Sequence, residues 1–531
     1  MSLIQKRFQY ATYGLFVLVA AFILMTFEQH GISNDEPVQH EYGRLLLRFY
    51  QSGFEDQAAF HYKNLYLYGG FFDLLAATFE KIVPLWLWDF RHLLSALFGL
   101  AGLVAVYKIS CLLESPRTGF IAVVLLVLTA SWSGAMFTHT KDIPFATFMA
   151  WALYYTILAS KSLPTIPLRV SLKLGVSIGF ALGMRIGGCF AVIYLLLLLT
   201  YASFLPQLNR QSIVKFWVNV VASLIPAALV AFYLMAIFWP WGVMSPSHPF
   251  EAIKAFSHFS FDMKTLDDGQ VFSIGAVPRT YLLSYLLVKL PEVFLLGLLS
   301  FILMGVLNFK RILHQLGSQQ ALGIVAVLIA LIFPLSFVII TQPALYNGVR
   351  HFTFILPPLA VLGALGIHYV FQALYRFLAL KVMYLLVCVA LCVSTFVELG
   401  QLHPYEYTYY NAFAGQLLDA ETKWEGDYWS SSLREAANAL KQTPLEVREK
   451  PYLVAVCAEN LQGEAYLDER FQITKDWIAA DFFMSSTSMH CDRVLQGQEI
   501  GRVERLGSLL AIVKDRRALV GEARIPKDPN Q

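Results

Sequence analysis

Apolar residues along this 531-residue chain come in long blocks rather than in alternation or in one helical stripe. A helix needs roughly 20 consecutive apolar residues to cross the hydrocarbon of a bilayer. Such blocks run from Ala11 to Phe27 and near residues 90–113, 119–138, 143–160, 170–204, 213–239, 291–309, 321–341, 350–373 and 381–399. The block at 170–204 is too long for one crossing, and "GMRIGG", Gly183 to Gly188, breaks it into two short helices. A break at membrane depth is tolerated where protein or a wet cavity receives the freed backbone. The pattern predicts eleven crossings over residues 1–399.

From residue 400 to 531 the pattern becomes that of a soluble domain. "SSLREAANALKQ" has helical spacing behind a Ser cap, and "YLVAVCA", "ADFFMSS" and "LGSLLAIVK" read as buried strands, which predicts a small α/β domain. The fold class expected is a membrane all-α bundle of about eleven helices with this domain appended. No repeat of fixed period is visible, nor the inverted halves of a secondary transporter.

Charge placement sets the orientation. With the N-terminus in the cytoplasm, the inner loops carry Lys108 and Arg117; Lys161, Arg169 and Lys173; Arg210 and Lys215; Lys310 and Arg311; Arg376 and Lys381. Each inner loop thus holds at least two positive charges, as the positive-inside rule requires. An odd number of crossings then puts residues 29–89, 139–142, 240–291 and the C-terminal domain outside. Within the first of these, residues 62–84 are apolar but interrupted by charges, which suits a helix lying at the interface better than one that spans. The first block follows Lys6 and Arg7 but ends in "TFEQHG" without a small-residue cleavage site, so it reads as an uncleaved first helix.

Composition agrees: 57% of residues are apolar and only 15% charged, against a usual ~45–50% and ~25%. A net charge of +3 without a Lys/Arg block gives no reason to expect a nucleic-acid partner. Four of the six cysteines, Cys111, Cys189, Cys388 and Cys392, lie in or at the end of apolar blocks. Cys457 and Cys491 fall in the soluble domain with no metal-ligand spacing, leaving a disulfide between them open.

The candidate chemistry lies in the outer loops. Asp35 and Glu36 follow the first crossing directly, in "QHGISNDEPVQHEYGRLL", and Asp142 precedes Pro144 in the next outer loop, "FTHTKDIPFATF". An acid ahead of a proline also serves as a helix cap. At a membrane boundary, however, ionisable groups are costly unless exposed, paired or used. Basic groups reach the same face: Arg185 in the glycine break, Arg350 and His351 in "YNGVRHFTFILPP", Lys141 in the second loop, and Arg279 and Lys289 in the long loop. Snorkelling to the interface accounts for Lys289, whereas Arg185, enclosed by glycines in an apolar run, points to a buried anion partner. Carboxylates beside guanidiniums suit sugar transfer from a polyprenyl phosphate. That leaving group is already good, so the site needs a base for the acceptor hydroxyl and cations for the departing phosphate. Arg offers the phosphate a planar, permanently charged fork. Asp35, Asp142 and His139 could also ligate a divalent metal, although no local spacing demands one.

The ordered motifs "NDEPVQHEYG", "THTKDIPFA", "GMRIGG", "GVRHFTFILPPLAVLGALG" and "HPYEYTYYNAFAGQ" followed by "DYWSSSLREAA" resemble the GT-C membrane glycosyltransferases. The likeness is to the bacterial branch grouped with the protein O-mannosyltransferases and the lipid A aminoarabinose transferase, and runs from residue 11 to about 440. It implies inverting transfer of one sugar from a polyprenyl-phosphate or polyprenyl-diphosphate donor to a hydroxyl of a protein, lipid or glycan, at the outer face of a bacterial inner membrane. It places Asp35 as base, Asp142 as the acid of the second loop, and Arg185 and Arg350 near the donor phosphate. Glu36 joins the catalytic candidates, and Lys141, His351 and Arg279 the phosphate-binding ones, from their place on the same face. Some GT-C enzymes bind a divalent ion and others work without one, so a metal is possible here while no cofactor is expected to be required. The chain departs from the usual "AGG" at Gln416 and from the usual "DYWG" at Ser430, both in the outer domain, which bears on acceptor recognition more than on chemistry. The rival reading is a transporter or flippase for lipid-linked sugars, which predicts charged groups near the midplane and access from the two faces in turn.

Overall fold

The computed structural model describes residues 2–206, 208, 212–257, 263–316, 318–420 and 422–524. Arg210 of the third inner loop lies outside them. Eight helices among the described residues are long and apolar enough to cross a bilayer: Leu3–Gln29, Leu87–Leu113, Asp142–Ser160, Ile186–Ser203, Ile213–Phe238, Leu322–Thr341, Arg350–Arg376 and Leu378–Leu402. Two more spans come as bent pairs, Pro116–Val127 with Ala130–Thr138 at 74° and Tyr281–Lys289 with Glu292–Leu307 at 116°. By length and apolarity alone eight to ten spans qualify among the described residues, where eleven crossings were expected. The difference is the helix Leu168–Leu182, which stops at the glycine break after 15 residues. At 1.5 Å per residue that is about 22 Å, short of a bilayer's ~30 Å core.

The helices sort by what they touch. Arg350–Arg376 is enclosed, with an unbroken buried run from Phe352 to His368, whereas Ile213–Phe238 and Leu378–Leu402 leave Val218, Leu229, Phe232, Leu386 and Phe396 exposed. Large apolar side chains in contact with water are unfavourable, so these outer faces suit lipid.

Residues 62–84 form neither a span nor an interfacial helix. Two short 3₁₀ turns precede a nine-residue helix, Phe71–Phe79, whose Phe71, Phe72, Asp73, Leu74, Ala76 and Ala77 are buried in protein. The backbone just before it is held by Phe238 O and Gly183 O, which accept from the N–H groups of Gly70 and Phe71. Gly69 lies so close to the Gly183 carbonyl that a Cβ there would collide with it. Glycine is what lets this loop approach the break that carries Arg185.

The long loop after residue 240 contains a hairpin, β1 (Lys264–Asp267) paired with β2 (Gln270–Ser273). It docks on the C-terminal domain through Glu425, whose Oε1 accepts from Thr265 Oγ1 (2.8 Å) and Leu266 N (2.9 Å). That domain is a five-stranded sheet of β3 (Tyr452–Cys457), β4 (Phe471–Ile473), β5 (Phe482–Ser486), β6 (Gln498–Arg505) and β7 (Ser508–Asp515), ordered β4-β3-β5-β7-β6. β3 runs parallel to β4 and β5, and β7 antiparallel to β5 and β6. The expected helix, Leu433–Gln442, packs Leu433, Ala436, Ala437 and Leu440 inward. The three expected strands are β3, β5 and β7. Cys457 and Cys491 are joined as a disulfide, with Cα atoms 6.4 Å apart.

Candidate active site

Asp35 ends the turn after the first crossing, and the helix Glu36–Gln51 begins at once with Pro37 in its first turn. Asp35 holds the N-cap position yet makes no side-chain cap bond. The free carboxylate instead takes a charge-assisted hydrogen bond from Arg350 Nη2 at 2.8 Å. Arg350 opens the 3₁₀ turn Arg350–Ile355, and its Nε also lies 3.6 Å from Asp142 Oδ2. Asp142 starts the helix Asp142–Ser160, and its other oxygen is paired with Arg185 Nη2 from the glycine break. Four segments remote in sequence thus meet in a chain of acid, guanidinium, acid, guanidinium.

Aromatic rings wall this chain. The Arg350 guanidinium stacks 4.2 Å from the Trp429 ring and 5.2 Å from Tyr346, and Tyr68 lies 4.6 Å from Lys141 Nζ and 6.0 Å from the Arg185 guanidinium. Lys141 is buried and 3.8 Å from Asp73 Oδ2. Burial lowers the Lys141 ammonium below its usual range against the pull of Asp73, and burial raises the Asp73 carboxyl despite Lys141 and Arg91. Exposure separates the acids: Asp35 keeps 42% of its side chain accessible, Asp142 only 4%.

Glu36 faces the other way. Its Oε2 accepts from Ser33 N (2.8 Å) and Ser33 Oγ (3.1 Å) and meets His92 Nε2 at 3.2 Å, while Oε1 lies 3.7 Å from Arg91 Nε. Arg91 also donates to Asp73 Oδ1 at 3.1 Å, so this fully buried group braces the turn behind Asp35. The helix therefore has no side-chain cap bond from Asp35, and Glu36 ties its side chain to the Ser33 N–H ahead of it.

His139 is held as a hydrogen-bond hub. Trp429 Nε1 can only donate, so His139 Nε2 accepts from it at 2.8 Å and from Tyr428 OH at 2.9 Å, leaving the proton on Nδ1 toward Thr138 Oγ1 at 3.2 Å. Burial, and then Arg350, hold the imidazole well below its usual range and therefore neutral. With Nε2 engaged in this way and the Asp142 oxygens facing two guanidiniums, the trio Asp35, Asp142 and His139 does not fit a metal centre. Among the described residues no group of three His, Cys, Asp or Glu is placed to hold a metal ion.

The remaining cations divide. His351 packs its ring 4.6 Å from Tyr346, beside the cluster. Arg279 is exposed ahead of the helix Tyr281–Lys289, and none of the ion pairs among the described residues ties it to Asp35 or Asp142. Lys289 does not snorkel: it is 4% exposed, donates to the carbonyls of Tyr407 (3.1 Å) and Tyr409 (2.9 Å), and sits 3.5 Å from the Tyr410 ring. A bend of 116° turns its helix end into protein instead of toward a headgroup layer. Trp429, Tyr346, Tyr68, Asp73 and Arg91 were not singled out from sequence, although an acid inside the apolar run "FFDLL" is itself a signal of pairing.

No protein-family model matches the sequence, and no curated protein matches it either. Similar solved structures include the Archaeoglobus fulgidus oligosaccharyltransferase in the apo form, 13% identical with a TM-score of 0.51, the match covering 88% of this chain and 64% of that one. AglB from the same organism, in complex with an inhibitory peptide and a dolichol-phosphate, is 13% identical at a TM-score of 0.50, with 92% and 70% covered. ArnT from Cupriavidus metallidurans bound to undecaprenyl phosphate is 13% identical at 0.48, with 95% and 98% covered. These neighbours are GT-C glycosyltransferases, and the likeness to the archaeal enzyme assigns the architecture: the chain has the GT-C fold.

Proposed function

We propose that the chain transfers a single sugar, with inversion, from a polyprenyl-phosphate or polyprenyl-diphosphate donor to an acceptor hydroxyl at the extracytoplasmic face of a bacterial inner membrane. The observation that carries this reading is the half-exposed Asp35 carboxylate, 2.8 Å from a buried Arg350 that a second acid and a second guanidinium hold in place. Supporting it, the archaeal enzyme of the same fold is bound to a dolichol-phosphate, a lipid of the same class as the donor. The disulfide of the C-terminal domain fits an oxidising compartment.

In the reaction the accessible Asp35 oxygen takes the proton of the acceptor hydroxyl. The hydroxyl oxygen attacks the anomeric carbon from the face opposite the phosphate, and the bond from that carbon to the phosphate oxygen breaks. The electron pair leaves on the lipid phosphate, where Arg350, Arg185 and Lys141 neutralise it. Side-chain cations serve this role in the proposal, and no divalent ion is required.

Purified protein in lipid, given a polyprenyl-phosphate sugar labelled in the sugar and an acceptor from the cell envelope, should release polyprenyl phosphate and form one product of inverted anomeric configuration. Retention of configuration, or movement of intact donor across the bilayer without release, would replace this reading by double displacement or by transport.

A further inference from the structure

Among the contacts of the C-terminal domain with the site, one amide touches two backbone segments at once. Gln462 lies in the short helix Asn460–Glu464 after β3 and is 1% exposed. Its Nε2 donates to the Ile32 carbonyl at 2.5 Å and to the Trp429 carbonyl at 2.8 Å, while its Oε1 accepts from Glu459 N at 3.3 Å. Ile32 lies three residues before Asp35, and Trp429 is the residue whose ring stacks on Arg350. The two protons of one rigid, planar group therefore fix the backbone on the base side and on the cation side together.

The turn that Gln462 holds has few bonds of its own. Residues 30–34 lie between the first crossing and the next helix, outside any regular element. Their backbone is instead gripped by the C-terminal domain and its leading segment. Ile32 N–H donates to Tyr466 OH at 2.9 Å, Arg434 Nη1 donates to His30 O at 2.8 Å, and Asn34 Nδ2 donates to Tyr428 O at 3.2 Å. Gly31 packs so closely on the Ser431 carbonyl that any Cβ would collide.

We propose that Gln462 is a positioning residue for sugar transfer, its amide setting the placement of the Asp35 carboxylate relative to Arg350 across the boundary between the two domains. This rests on the transferase reading above. The physical basis is that two buried carbonyls lose their donor together if the amide is removed, and the turn then gains freedom at the base. Misplacement of a catalytic group by about 1 Å costs on the order of a hundredfold in rate. It leaves donor binding alone, because Gln462 holds the Trp429 backbone and not that of any cation, and Arg185 and Arg350 keep their ion pairs with Asp142.

The test compares the parent with Gln462→Met, which keeps the volume and removes both donors, in the full chain. Three quantities are read: kcat against the donor KM, the melting temperature, and hydrogen exchange of the peptide spanning residues 30–36. The expected result is a fall in kcat of about 10- to 100-fold, an unchanged donor KM, and faster exchange confined to that peptide. Exchange equal to the parent's would refute the clamp. Faster exchange with the parent's kcat, or a rise in KM alone, would refute its role in positioning. If Gln462→Met does not fold, Tyr466→Phe, which removes only the acceptor of Ile32 N–H, carries the same comparison with a smaller fall in kcat. Absence of transfer in the parent itself would sink the transferase reading, and the exchange comparison would still judge the clamp.

Discussion

Asp35 and Asp142 both pair with Arg350, yet neutralising them should produce opposite phenotypes, because burial decides what each charge is for. In Asp35→Asn the amide oxygen still accepts from Arg350 Nη2, and 42% of the side chain faces solvent. A half-exposed ion pair contributes about 1 kcal/mol at most, so the melting temperature should move by about 2 °C or less. Donor binding should persist, since all three cations remain. What disappears is the base, a contribution of about 10²- to 10⁴-fold in rate, or about 3–5 kcal/mol of transition-state stabilisation. Asp142→Asn is the reverse case. Its carboxylate is 4% exposed and faces two guanidiniums, the part-buried Arg185 and the buried Arg350, so neutralising it leaves both short of counter-charge. Breaking a buried pair in this way costs about 3–5 kcal/mol. The assay is release of polyprenyl phosphate from labelled donor by each variant, beside its melting temperature and its donor affinity. Asp35→Asn working within about tenfold of the parent would remove Asp35 as the base. An Asp142→Asn protein as stable as the parent would show that the buried pairs do not hold the site together.

Other expectations concern stability. Gln416 is exposed at φ 58°, in the left-handed region, where the resembling family has glycine, so Gln416→Gly should raise stability by about 1 kcal/mol in thermal melting. The Asp267 carboxyl is pushed up to about 6 by burial and then by Asp268. An unfolded chain releases that proton nearer 3.8, so stability is lost as pH rises from about 4 to 6 and the full penalty remains above. Asp267→Asn should therefore raise stability at pH 7 by about 1 kcal/mol and flatten the melting temperature across that window. Cys457→Ser opens a link between positions separated by 34 residues and should destabilise the C-terminal domain by about 2–4 kcal/mol, read as a lower melting temperature and faster proteolysis beyond residue 450.

The crossings were legible because a bilayer imposes one simple demand, length times apolarity, and each block met or nearly met it. Residues 62–84 were ambiguous because a segment packed among other helices and one lying on a membrane share the same aromatic, charge-interrupted composition. β6 was invisible for a related reason. It is an edge strand whose residues "QEIGRVER" bury only Val503 fully, so no apolar alternation marks it. In the site, Asp35, Asp142, Arg185 and Arg350 stood out because a charge next to an apolar block needs a partner. Ser430 was read as a departure bearing on the acceptor. The structure gives it φ 55°, a backbone conformation that favours the glycine of the family pattern, and its hydroxyl bonds Ser486 Oγ at 2.8 Å.

Apart from the family resemblance, which singled out Asp35, the residue pattern could not rank the acids. Asp35, Glu36, Asp73 and Asp142 face Arg91, Lys141, Arg185 and Arg350 one for one, so the cluster is balanced in charge and composition favours none of them as the base. Neighbours in the chain mislead as well, since Asp35 and Glu36 are adjacent but point into different networks. The distinction is made by exposure: three of the acids are sealed at 0–4%, where a substrate hydroxyl has no route to them, and Asp35 is open. Asp35 and Arg350 are 315 residues apart in the chain, and the Trp429 ring of the C-terminal domain lies over that arginine. The contact between Asp35 and the guanidinium therefore joins segments that meet only in the folded chain, and the exposure that sets Asp35 apart from the other acids is legible in the structure and not in the residue pattern.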